Sequence, residues 1–113
     1  MRRVILAVVL AVIAGSAQAQ NELKDIGCAG ESSLRSIDDK TLTEVTFFNQ
    51  SPKTIRTYWL DHEGHRQFKS EIRPGDSFVQ QTYVTHPWVV TSIAKTCMAI
   101  FQPEAARAIV VVR

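Results

Sequence analysis

After residue 33 the chain becomes a series of short runs rich in β-branched and aromatic residues, each closed by turn formers. That spacing is expected of an all-β sandwich. Strands are expected at Leu34–Ser36, Glu44–Asn49, Thr54–Leu60, Gln67–Ile72, Ser77–Tyr83, Trp88–Ala94, Cys97–Gln102 and Ala108–Val112, giving about seven to eight short strands in a single β-sandwich. Between them, Asn49-Gln50-Ser51-Pro52, Asp61-His62-Glu63-Gly64 and Arg73-Pro74-Gly75-Asp76 carry residues suited to chain reversal. Ile55, Thr57 and Trp59 alternate with Arg56, Tyr58 and Leu60, and Phe78, Gln80 and Thr82 with Val79, Gln81 and Tyr83, so one face of each strand can meet a core. The one helical candidate, Pro103–Arg107, is long enough for a single turn at most.

Length and composition bound the organisation. The chain has 113 residues, 45% hydrophobic and 21% charged, which permits one compact domain and excludes a wholly disordered or collagen-like chain. No internal repeat or low-complexity tract appears.

Residues 1–19 read as an export signal: Arg2 and Arg3, an uncharged apolar run from Val4 to Ala14, and the small residues of Ala17-Gln18-Ala19 before the expected cut. The run is too short for a membrane span of about 20 residues. Residues 20–32 form an irregular lead-in and residues 33–113 the sandwich, in a periplasmic or secreted protein with no membrane anchor after cleavage. Without Arg2 and Arg3, eleven basic residues balance eleven acidic ones, which leaves no basic footprint for nucleic acid. Two cysteines in an exported chain are expected to be bridged, Cys28 to Cys97, with two buried thiols as the alternative.

The sequence offers little for catalysis. No Gly-x-Ser-x-Gly elbow or glycine-rich phosphate loop occurs, and no cofactor is expected. Asp61, His62, Glu63 and His65 place four potential metal ligands in one short loop, but the two histidines are three apart and separated by Gly64, unlike the helical spacing of zinc proteases. Thr82-Tyr83-Val84-Thr85-His86-Pro87-Trp88 instead gathers a hydroxyl, a phenol, an imidazole and an indole, with Trp59 as a possible second wall. Aromatic walls with a few convergent polar groups suit a shallow ligand pocket. The competing reading makes both tryptophans core residues.

The segments Leu34-Arg35-Ser36, Glu44 to Pro52, Trp59-Leu60-Asp61-His62-Glu63-Gly64, Pro74-Gly75 and Tyr83-Val84-Thr85-His86-Pro87-Trp88 resemble the von Hippel-Lindau β-domain family, without a gap from Phe47 to Trp88. The resemblance implies a prealbumin-like sandwich that is not an enzyme. It also implies a protein or peptide ligand: an extended peptide containing 4-hydroxyproline, whose ring enters an aromatic pocket and whose hydroxyl bonds a serine and a histidine. Carried across residue by residue, Trp59 and Trp88 fall at the pocket tryptophans, His86 at the hydroxyl-binding histidine, Tyr83 at the tyrosine beside it and Thr82 at the serine.

Two departures follow from the same comparison. The family's pocket tyrosine falls at Lys69, which adds a charge and favours an acidic ligand; Phe68 next to it is expected on the opposite face. The helical domain through which the family's tumour suppressor joins a ubiquitin ligase has no counterpart, so no ubiquitin ligase assembly is expected. The leading expectation is an extracytoplasmic, non-catalytic binding module. Its alternatives are an assembly protein that binds partners through a sheet edge and a metal-binding loop at Asp61–His65.

Overall fold

The computed structural model describes residues 20–113. The expected export signal, residues 1–19, lies outside them. Seven strands form: β1 (Leu42–Asn49), β2 (Ile55–Leu60), β3 (Arg66–Ile72), β4 (Ser77–Tyr83), β5 (Trp88–Ser92), β6 (Cys97–Phe101) and β7 (Ala108–Val112). They make two packed sheets, a three-stranded one in the order β4-β1-β7 and a four-stranded one in the order β3-β2-β5-β6. All neighbours are antiparallel except β1 and β7, which run parallel. The fold is the expected all-β sandwich.

The inner faces meet over Val45, Phe47, Ile55, Ile72, Trp88, Val90, Phe101, Val110 and Val112. A second cluster, Tyr58, Leu60, Val89 and Ile100, lies on the opposite side of the four-stranded sheet and packs against Cys28, Leu34 and Cys97. Both faces of β5 are therefore covered, which is why Trp88, Val89, Val90 and Thr91 are all buried instead of alternating. The lead-in supplies the second cover. It is bonded to both sheets, with Leu23 N donating to Ile109 O of β7 and Ile26 N to Ile100 O of β6. It is stapled by the Cys28–Cys97 disulfide and clamped by Arg66, whose Nε and Nη2 donate to Glu31 at 2.6 and 2.8 Å.

Corner chemistry links the sheets. Asn49 is 1% exposed. Its Nδ2 donates to the Lys53 and Ile72 carbonyls, and its Oδ1 accepts from Ser51 N and Oγ, which fixes the turn between β1 and β2. In the β2–β3 turn, Gly64 has φ +83, and a Cβ there would lie 3.0 Å from the Leu34 carbonyl.

Three expectations need correction. Leu34–Ser36 is not a strand: Ser36 N reaches Asp61 O, but no ladder follows, and the only helix-like turn in the described residues is a short 3-10 segment just before it, Glu31–Ser33. Pro103–Arg107 forms a bend instead of a helical turn. The alternation expected of β4 is faint, since Thr82 alone of its residues is buried, β4 being an edge strand.

Candidate functional site

Lys69, Thr82 and Trp88 come from three strands that share no ladder with one another, yet they meet where β4 of one sheet faces β2, β3 and β5 of the other. Together with Trp59, Tyr83, His86 and the glutamines Gln80 and Gln81, they line a hollow of about 200 Å³. The structure thus brings together all six of the residues that sequence reasoning selected.

Trp88 forms the floor. It is 2% exposed, belongs to the inner core and packs on Phe47 at 6.0 Å between ring centroids. Its indole N–H donates to Thr82 Oγ1 at 2.9 Å. The threonine oxygen is thereby oriented, and its own proton is left to donate. Trp59 is the side wall, half-buried, with its indole N–H donating to Ser36 Oγ at 2.7 Å while Ser36 Oγ donates to the Leu60 carbonyl at 2.6 Å. Both tryptophans therefore pack in or against the core and also line the hollow.

His86 stacks on Trp59 at 5.6 Å with 24° between planes, and lies 5.2 Å from the Tyr83 ring and 5.4 Å edge-on to His62. Burial pushes its pKa below the ordinary imidazole value and His62 acts the same way, opposed by Asp39 and Asp38. A neutral imidazole offers one donor and one acceptor, and no side-chain hydrogen bond to the His86 ring occurs among the described residues.

Lys69 reaches the rim because of a bulge. Thr57 pairs with Ser70 and Tyr58 with Phe68, so Lys69 is the extra residue of β3. Its Nζ sits 5.6 Å from the centroid of the Trp59 ring. Phe68 makes an edge contact with Tyr58 on the other side of the sheet, the side expected from the sequence.

The loop at Asp61–His65 does not gather its four candidate ligands. Asp61 Oδ1 accepts from the Glu63 and His65 amides and Oδ2 from Gln67 Nε2, so both oxygens serve the turn and hold the carboxyl below its usual range. His62 Nε2 contacts Asp38 at 3.0 Å, whereas His65 Nδ1 faces Glu63 at 3.7 Å. Among the described residues no set of three such side chains converges.

Sequence reasoning missed Ser36, Asp38 and Asp39, and placed His62 only in the metal loop. A buried indole N–H signals that some acceptor must exist, but nothing local picks Ser36 from the other serines. The two-sheet fold agrees with the comparison to known families: a family model of the VHL beta domain matches residues 34–109, and the chain belongs to that family.

Proposed function

We propose that the protein is a non-catalytic binding module that takes an extended peptide carrying a hydroxylated proline or similar ring, and that it works outside the cytoplasm. The observation that carries this reading is the arrangement at Thr82: its oxygen is occupied by the Trp88 indole, its proton is free to donate, and the neutral His86 ring lies across the same hollow. A rigid apolar ring can be covered by the faces of Trp59 and Trp88 at small entropic cost. A ring hydroxyl both donates and accepts, which matches the acceptor of one neighbour and the donor of the other. Unhydroxylated proline leaves those groups unpaired, at a cost of about 1 to 3 kcal/mol.

β4 forms one edge of its sheet, so an extended peptide can lie alongside it with its ring in the hollow. The Cys28–Cys97 disulfide favours an oxidising compartment, in keeping with export. The test is calorimetric titration of oxidised protein with two peptides that differ only in proline or 4-hydroxyproline. A preference for the hydroxylated peptide that His86→Gln removes supports the reading; equal or absent binding overturns it.

A second reading, partner binding through a sheet edge, is favoured by β7. Ile109 uses its outward N–H and C=O on Asn21 and Leu23, while among the described residues the next outward pair, on Val111, has no partner. A cavity of about 530 Å³ beside it is floored by Leu23, Met98, Phe101 and Val112. Val111→Lys, which places a charge on that edge, distinguishes the two: it abolishes edge pairing and spares the hollow.

A further inference from the structure

We infer that the hollow selects for negative charge: its peptide carries an acidic side chain two residues from the ring residue, and Lys69 is the group that reads it. This deepens the proposed function and rests on it.

Among the residues that line the hollow, formal charge is of one sign. Trp59, Gln80, Gln81, Thr82, Tyr83 and Trp88 carry none, and burial disfavours the charged form of His86. Lys69 supplies the one formal charge in the lining. Arg56 in β2 and Arg66 in β3, which also lie over rings, are neutralised, Arg56 by Glu71 at 2.9 Å and Arg66 by Glu31 at 2.6 Å. Among the described residues Lys69 has no carboxylate within ion-pair distance; the nearby Asp38 and Asp39 act on His86, and Asp38 contacts His62.

The backbone delivers the ammonium deliberately to this place. Without the bulge between Thr57 and Tyr58, the alternation of β3 would pair position 69 with Tyr58, on the sheet face covered by the lead-in; the extra residue turns Lys69 toward Trp59 instead. Lys69 Nζ, held over Trp59 at the rim of the hollow, is within reach of the next side chain on the same face of a peptide whose ring lies in the hollow. In an extended chain that is the residue two positions away, about 7 Å along. A carboxylate there gains a partner that is already held in place by the cation–π contact.

The experiment is fluorescence titration of the oxidised full chain at low and high salt with hydroxyproline peptides bearing Asp, Asn or Lys two residues before or after the ring. The expected result is binding about 5-fold tighter for Asp than for Asn on one side of the ring, and weaker for Lys, with the advantage shrinking as salt rises. Lys69→Met equalises the Asp and Asn peptides, and Lys69→Glu reverses the order. Equal affinity for all three, with the hydroxyproline preference intact, overturns this inference and leaves the binding reading standing. Binding by none of the peptides overturns both.

Discussion

Trp88 in β5 donates its indole N–H to Thr82 Oγ1 in β4 at 2.9 Å, a hydrogen bond that joins the two sheets at the bottom of the hollow. Both residues are buried, Thr82 at 4% exposure and Trp88 at 2%. Thr82→Val keeps the shape and leaves the indole N–H unpaired, so stability in chemical denaturation falls by about 1 to 3 kcal/mol. The same variant loses any preference for hydroxyproline, whereas Thr82→Ser retains it. A Thr82→Val protein as stable as the parent shows that the bond contributes nothing.

Ser36 holds the other tryptophan. Its hydroxyl accepts from Trp59 Nε1 and donates to the Leu60 carbonyl, and it is 2% exposed. In Ser36→Ala the Trp59 indole N–H loses its acceptor; the expected loss is about 1 to 2 kcal/mol in urea denaturation, together with weaker peptide binding although Ser36 is not part of the hollow's lining. Unchanged binding in a destabilised Ser36→Ala protein assigns the serine a purely structural role.

The strand pattern was readable because β-branched runs and turn residues are local signals: β4 and β7 have the bounds expected, and β2, β3 and β6 differ by a residue at one end. Two features were not local. The end of β5 at Ser92 instead of Ala94 follows from a tight turn in which Lys95 takes φ 70, a conformation no nearby glycine announced. The bulge at Lys69 likewise lies among Phe68, Lys69 and Ser70, with no glycine or proline to mark it. Of the site, the lining was legible from residue types and family resemblance, while the support was not. Ser36 reaches Trp59 across 23 positions, and such a pairing depends on how the segment after the lead-in is laid against the end of β2. The run Trp88-Val89-Val90-Thr91 did carry a signal that β5 is covered on both faces, since an outward face exposed to water would have alternated.

His86 makes stability depend on pH. Burial lowers its pKa from 6.5, with His62 in support and Asp39 and Asp38 opposing. The unfolded chain takes up a proton near 6.5 while the folded protein resists until lower pH, so the unfolded state binds more protons in between. The contribution of this site is complete above that value and is lost as pH falls through the lowered pKa of the folded state. Urea midpoints at pH 7.5 and 5.5 are expected to show a drop that His86→Gln reduces. An identical drop in the variant assigns the effect to other groups.

The disulfide acts at two ranges. Cys28 and Cys97 are 69 positions apart, and removing the cross-link by Cys28→Ala with Cys97→Ala costs about 4 kcal/mol in the chain-entropy model. Locally, the bridge presses the lead-in onto Tyr58, Leu60, Val89 and Ile100, but it is not alone there, because Glu31 is still gripped by Arg66 and Asp25 Oδ1 still accepts from Ile100 N. The double variant therefore folds at 25 °C with a lowered denaturation midpoint, and its fastest increase in amide exchange falls at Leu34, Ser36 and Ile100 on the covered face. Because Ser36 is the acceptor for the Trp59 indole, the variant also binds peptide more weakly, and adding Arg66→Leu deepens both effects. Amide exchange that rises uniformly over both sheets shows instead that the bridge stabilises the sandwich as a whole and has no particular hold on the lead-in.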